Sequence, residues 1–146
     1  MTDLVVRAAR AGDFEAVKVL LRTAGLPVED LREPGMRDFL IATRGRSIVG
    51  AVGLEPYPQV GLLRSLVVDP GARAAGVGRL LVAELEASAG RRGIAELWLL
   101  TIDADRYFQA LGYETRERRE APQVIRQTAE FASLCPGDAT LMHKRL

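Results

Sequence analysis

The spacing of apolar residues divides the chain into short elements of two periods. Leu4 to Ala8 is a first β-prone run. After a turn at Gly12-Asp13, which offers an N-cap, Val17, Leu20, Leu21 and Ala24 recur at helical spacing until Gly25 and Pro27. Val28 to Gly35 sets Glu29, Asp30, Arg32 and Glu33 around a lone Leu31, which fits a short helix or a loop. Phe39 to Thr43 and Ser47 to Glu55 read as strands joined by a tight turn at Arg44-Gly45-Arg46. Pro56-Tyr57-Pro58 breaks the second of them. Leu62 to Val68 is then a nearly continuous apolar run, the signature of a strand buried on both faces.

Asp69-Pro70-Gly71 stops that strand, and from Val77 the period lengthens. Val77, Leu80, Leu81, Leu85 and Ser88 mark one face of a long helix, which Gly90 and Gly93 end. Ile94 to Thr101 is a second apolar strand, so strand, crossover helix and strand predict a right-handed parallel pair. A helix over Ala104 to Leu111 and a strand over Tyr113 to Arg118 come next. Pro122 opens another helix, with Val124, Ile125, Thr128 and Phe131 on one side, and Ala139 to Lys144 is the last strand. The order β-α-(α)-β-β-β-α-β-α-β-α-β predicts a single α/β (α+β) domain over residues 1–146.

Composition narrows the function classes. Twenty Lys and Arg against nineteen Asp and Glu leave a net charge of +1. That balance speaks against nucleic acid or a membrane surface as partner, since both call for a basic excess. Asp3 and Arg7 interrupt any apolar core of a leader, and no run has the length of a membrane span. Cys135 is the sole cysteine and His143 the sole histidine. An internal disulfide is therefore impossible, a Cys/His metal site is excluded, and a Ser-His-Asp triad is disfavoured. The expected location is cytoplasmic, and a homodimer is one expectation for its assembly.

The chemistry concentrates between the central strand and the long helix. Arg73-Ala74-Ala75-Gly76-Val77-Gly78 carries only small side chains from Ala74 to Gly78 except for Val77, so a ligand can come close to the backbone. The first amides of the helix lack carbonyl partners and sit at the positive end of its dipole, with Arg73 and Arg79 on either side. The combination suits a pyrophosphate. Gly71-x-x-x-x-Gly76 imitates a Walker loop, but Val77-Gly78 stands where Lys-Ser/Thr is required. Gly76-x-Gly78 opens like a dinucleotide fingerprint, but Leu81 replaces its third Gly. On spacing alone an ordinary Gly-bearing turn explains the loop equally well.

Arg73-x-x-Gly76-x-Gly78, preceded by Leu66-x-Val68-x-Pro70, resembles the acyl-CoA-binding motif of the GNAT acetyltransferase superfamily. The resemblance runs nearly end to end. It implies a central mixed twisted sheet of about seven strands with helices on both faces, and acetyl-CoA as the acetyl donor. By that resemblance Leu66, Val67 and Val68 lie along pantetheine, while Arg73, Ala74, Ala75, Gly76, Val77, Gly78 and Arg79 surround the pyrophosphate. The family's two central strands splay apart around the thioester. Its strand bulge, whose amides polarise the thioester carbonyl, falls here at Ser65 or Leu66.

Tyr107-Phe108-Gln109-Ala110-Leu111-Gly112-Tyr113 resembles the second motif of the family, where many members carry a Tyr that protonates the departing thiolate. Phe108 occupies that position and has no proton to give; the resemblance sets it against pantetheine. Tyr107 is offset by about 100° around a helix and reads better as a half-buried aromatic. A thiol with pKa near ~8.5 leaves without much help. An α-amine, with pKa about 7.7 to 8.0, costs on the order of 1 kcal/mol to deprotonate at pH 7, against about 4 to 5 kcal/mol for a lysine-like amine near ~10.4. The missing acid–base pair therefore favours a small amine of low pKa.

Base candidates are few. Glu55 could order a water near the amine or be a plain strand-end carboxylate; Asp69 reads as a turn residue. Arg64 is a charge within an apolar strand, suited either to clamp a substrate carboxylate or to pair with a nearby acid. Ser65 and Thr101 could hydrogen-bond the thioester or acceptor, or be small polar strand residues with no such role. Leu99-Leu100-Thr101 through Tyr113 is similar to amino-acid N-acetyltransferases, and Ala121 to Pro136 to small GNAT proteins associated with arsenic resistance. That likeness implies an amino-acid-like acceptor, an arsenical one included. Because the tail precedes the last strand, Arg126, Ser133 or Cys135 is placed at the acceptor pocket; the other reading packs Phe131, Leu134 and Cys135 under the sheet. From another class, a non-catalytic acyl-CoA sensor is the alternative, supported only by the missing Tyr.

Overall fold

The computed structural model describes residues 3–134 and 137–146. Its elements in chain order are β1 (Leu4–Ala8), α1 (Phe14–Thr23), β2 (Phe39–Arg44), β3 (Ser47–Pro56), β4 (Val60–Val68), α2 (Val77–Arg91), β5 (Glu96–Thr101), α3 (Asp105–Ala110), β6 (Glu114–Arg116), α4 (Gln123–Arg126) and β7 (Thr140–Arg145). The seven strands make one sheet in the order β1-β2-β3-β4-β5-β7-β6. This is the mixed α/β class read from the pattern of the sequence. The crossover pair is parallel, with Val60, Gly61 and Leu62 opposite Glu96, Leu97 and Trp98. β1 and β2, β2 and β3, β5 and β7, and β6 and β7 all run antiparallel.

The chain forms two compact units, one made by the residues up to Leu54 with Ser65–Ser88, the other by Glu55–Arg64 with Ala89–Leu146. In the first, Val17, Leu21, Leu31, Met36, Phe39, Ile41, Ala51 and Val67 form one apolar core. Gly50 of β3 lets that unit close up: a Cβ there would stand 3.1 Å from the Val67 carbonyl oxygen and 3.0 Å from Leu81 Cδ1. The absence of a side chain here lets the first turns of α2 approach the sheet without displacing Leu81 or Val77. The buried face of α2 holds Val77, Leu81, Val82 and Leu85, whereas Leu80, expected on that face, is 37% exposed. The segment after α1 settles as a 3-10 turn over Glu33–Asp38 with Met36 buried beneath it. Asp13 turns back to accept from the Arg10 amide at 2.8 Å rather than capping α1 forwards. Its carboxyl is held below its ordinary value chiefly by hydrogen bonding from Arg7.

In the second unit Leu62, Trp98, Ala121, Ile125 and Leu141 form the core, with Tyr57, Leu100 and Phe131 packed at its margin. The helix expected from Pro122 through Phe131 is not continuous: α4 stops at Arg126 and a π-turn occupies Glu130–Leu134. Thr128 is the cause. Its buried hydroxyl donates to the Ile125 carbonyl at 2.7 Å and accepts from the Phe131 amide at 3.3 Å, so side-chain bonds displace the helical ladder. Among the described residues no helix is long and apolar enough to cross a membrane.

His143 on β7 packs its ring 4.4 Å from that of Trp98, whose indole N–H donates to Glu96 at 2.8 Å. Burial is the largest influence on the imidazole and pushes its pKa down; Arg116 and Arg145 act in the same direction, and Glu96 opposes them. The unfolded chain takes up a proton below about pH 6.5 that the folded chain resists, so stability falls as the solution is acidified. The urea midpoint is expected to drop between pH 7 and pH 5, and to drop less in His143→Gln. Parallel curves for the two proteins would show that His143 is not the group responsible.

Candidate active site

Asp69 closes β4 with three hydrogen bonds. Its amide donates to the Val49 carbonyl at 2.8 Å, its carboxylate accepts from the Gly71 amide at 2.9 Å, and its carbonyl accepts from Ala72 at 2.8 Å. With Pro70 fixing the next φ, these bonds set a 3-10 turn over Pro70–Ala75. Gly76 ends the turn at φ +72, and nothing lies within 4 Å of where a Cβ would stand. A side chain there is excluded by backbone strain rather than by crowding.

α2 starts on the next residue. Its first ladder bond runs from the Leu80 amide to the Gly76 carbonyl at 3.1 Å. The amides of Val77, Gly78 and Arg79 therefore precede the ladder, where the helix supplies no carbonyl and its positive dipole end gathers. Arg73, Ala75, Gly76 and Arg79 are exposed, while Val77 and Gly78 are buried. Arg73 Nε lies 3.4 Å from the Val68 carbonyl oxygen, which holds its guanidinium beside the end of β4. The side chain of Ala74 lies outside the described part of the chain. An open left-handed glycine, a helix start and two exposed guanidinium groups fit the diphosphate of an acyl-CoA. Upstream, Leu66 and Val68 are half-buried on one side of β4 and Val67 enters the core on the other.

Ser65 is buried in mid-strand with φ +60, a left-handed conformation rare for a residue other than glycine. It is one of the two positions named above for a strand bulge.

A polar cluster belongs to the second unit. Arg64, with its side chain 3% exposed, gives one guanidinium nitrogen to Glu55 at 2.8 Å and the other to Glu130 at 3.3 Å. Tyr57 donates its hydroxyl to the second oxygen of Glu55, also at 2.8 Å. Glu130 is buried, whereas the Glu55 side chain is 25% exposed. Of the two readings of Arg64, the ion pair is present. Glu55 is an anchored carboxylate, more than a plain strand end. Its oxygens offer about four lone-pair directions, of which Tyr57 and Arg64 use two, so it can still accept from an ammonium group or a water.

The other candidates are dispersed. Phe108 is buried, edge-on to Tyr107 at 5.4 Å and to Tyr113 at 5.6 Å between ring centroids. Tyr107 itself is 41% exposed. The Thr101 hydroxyl accepts from the Ala104 amide at 3.0 Å and so shapes the entry to α3. Arg126 is exposed at the end of α4, and the Ser133 hydroxyl donates to the Ala129 carbonyl at 3.3 Å. Cys135 lies outside the described residues. Sequence reasoning missed Tyr57 and Glu130. The signal for Glu130 was indirect: a buried Arg64 demands acids, and Glu130 is the one carboxylate in the apolar tail from Ala129 to Leu134.

Comparison with known proteins identifies the family and the fold. Residues 36–115 match the model of the acetyltransferase (GNAT) domain. An uncharacterised N-acetyltransferase of Chlorobaculum tepidum is 31% identical over 134 residues, covering 84% of this chain and 83% of that one. The amino-acid acetyltransferase of Photorhabdus laumondii is 28% identical over 125 residues, covering 80% of this chain. Only 28% of that longer relative is spanned. In fold, the chain resembles N-acetylglutamate synthase from Neisseria gonorrhoeae complexed with coenzyme A and N-acetyl-glutamate. The TM-score is 0.87 at 23% identity, over 100% of this chain and 36% of that one. The sheet order and the matched residues lead to one conclusion: the chain belongs to the GNAT family of acetyltransferases.

Proposed function

We propose that the protein transfers an acetyl group from acetyl-CoA to the α-amino group of a small amino acid or amino-acid-like compound. Acetyl-CoA supplies the acetyl group as an activated thioester. Arg73, Arg79 and the amides opening α2 bind its diphosphate, β4 from Leu66 to Val68 lies along pantetheine, and the backbone at Ser65–Leu66 offers a donor to the thioester oxygen. Glu55 receives the ammonium group of the acceptor and takes its proton, directly or through a water. The C–N bond then forms as the C–S bond breaks, coenzyme A leaves as the thiolate, and the second amine proton passes to that thiolate or to water. Positioning supplies most of the rate.

The observation that carries this reading is Glu55 itself, a partly exposed carboxylate anchored by Tyr57 and Arg64 with room left to accept. A carboxylate is a weak base, sufficient for an amine that is already about a tenth neutral near pH 7 and poorly matched to an ε-amine near ~10.4. The relatives named amino-acid acetyltransferase support the same acceptor class. Arg126 and Ser133, with Cys135 beyond the described residues, remain the proposed acceptor contacts in the tail.

A thiol-release screen across free amino acids, their arsenic- and phosphorus-bearing analogues, and Nα-blocked lysine tests the assignment. Release is expected with free α-amines and is expected to vanish on blocking them. Release from blocked lysine alone would overturn the acceptor class. Tight binding of coenzyme A without release from any amine would make the chain a sensor.

A further inference from the structure

Two features of the polar cluster are not used by the reaction as described. Glu130 is buried and places a carboxylate oxygen 3.3 Å from Arg64 Nη2, and the reaction as described assigns it no step. It is carried by the π-turn Glu130–Leu134, a rare geometry that is frequent at functional sites. The residue after Arg64 in the chain is Ser65, held at φ +60 in the middle of a strand. Such a conformation persists only when its surroundings over-determine it. Arg64 thus holds the buried π-turn acid on its guanidinium and precedes the left-handed serine in the chain.

We propose that Glu130 is a positioning residue: by holding one arm of the Arg64 guanidinium it fixes both the Glu55 carboxylate and the backbone at Arg64–Ser65. The proposal rests on the transfer reading only for its kinetic consequence. The guanidinium is planar, so its two outer nitrogens cannot move independently. With Glu130 on Nη2, the fork presents Nη1 alone to Glu55, at 2.8 Å. Glu55 therefore binds Arg64 through one oxygen and Tyr57 through the other, and its orientation is set. Without Glu130 the fork loses the contact that holds Nη2 away from Glu55 and can turn toward gripping it with two parallel bonds, an arrangement frequent in Arg–carboxylate pairs. That rotation would draw in the oxygen now held by Tyr57 and would release the backbone torsion beside Arg64.

Glu130 is itself well anchored. Thr128 ties the preceding turn to α4, and Arg118 donates to the Phe131 carbonyl at 3.4 Å and to Ala139 at 3.1 Å. Its anchor is thus the tail segment, far from Arg64 in sequence. The tail then contributes to the reaction without touching substrate.

Glu130→Gln keeps the volume and removes the charge. It is expected to lower kcat by about 10²-fold while the dissociation constant for coenzyme A stays within about twofold, because only the misplacement of reacting groups changes. The Cα and Cβ chemical shifts of Ser65 are expected to leave their left-handed values. The double variant Arg64→Met/Glu130→Leu replaces the pair by apolar groups of similar size, a change that stability often tolerates. It should fold and be equally slow. Wild-type kcat in either folded variant, or unmoved Ser65 shifts in Glu130→Gln, would overturn the proposal. A wild-type chain that releases no thiol, in which Ser65 still shifts with Glu130→Gln, would sink the transfer reading and leave the positioning role standing.

Discussion

Arg73→Glu is expected to raise the KM for acetyl-CoA by about 10²-fold and to leave kcat at saturating donor within a few-fold. The guanidinium is exposed at the end of β4, with its Nε 3.4 Å from the Val68 carbonyl, and it supports no core contact. Its loss should therefore cost little folding stability. Hydrogen bonds to charged groups contribute about 1.5 to 3 kcal/mol each, and reversal adds repulsion to their removal. Together these reach the ~3 kcal/mol that a hundredfold change requires. The effect should shrink with added salt, since an exposed charge is screened. Arg46→Glu, on the exposed turn between β2 and β3, serves as the control and should bind the donor normally. An unchanged KM in Arg73→Glu would show that the diphosphate lies elsewhere.

The turn and helix start from Asp69 to Arg79 were legible because their determinants are local. Gly76 must be glycine for its positive φ, the helix start follows within one residue, and the flanking arginines are close in sequence. The sheet was legible for a similar reason, since alternation, turn residues and the crossover rule each act over short spans. Tertiary context defeated the reading elsewhere. Leu80 lies on the side of α2 that faces solvent, because the helix is oriented by Val77 and Leu81 against the gap at Gly50. No periodicity announces that gap. The tail read as one helix because its apolar spacing is helical, and the Thr128 side chain overrides that spacing with bonds to the backbone on both sides.

The polar cluster shows the same limit more sharply. Arg64 was conspicuous as a charge among leucines, and burial alone requires that it be paired. Which acids pair with it depends on how the tail folds back, and that is not a local property. Two carboxylates on one guanidinium also change the chemical meaning of Glu55. Read alone it is a strand-end acid; read with Tyr57 and Arg64 it is an acceptor with a fixed direction and partial access to water.

Glu55→Gln is the variant in which that direction survives and the basicity does not. The amide keeps an oxygen for Arg64 or Tyr57, and the buried guanidinium keeps Glu130 at 3.3 Å, so no charge is left stranded and the fold should persist. An amide takes no proton from an ammonium group, and losing a positioned general base typically costs about 10² to 10⁴ in rate. The expected result is a fall in kcat of at least about 10²-fold with the acetyl-CoA KM unchanged, the inverse of the Arg73→Glu pattern. Tyr57→Phe removes one anchor and leaves the charge, so it should fall between Glu55→Gln and the wild type. A Glu55→Gln enzyme with undiminished kcat would show that solvent, and no side chain of this cluster, accepts the proton.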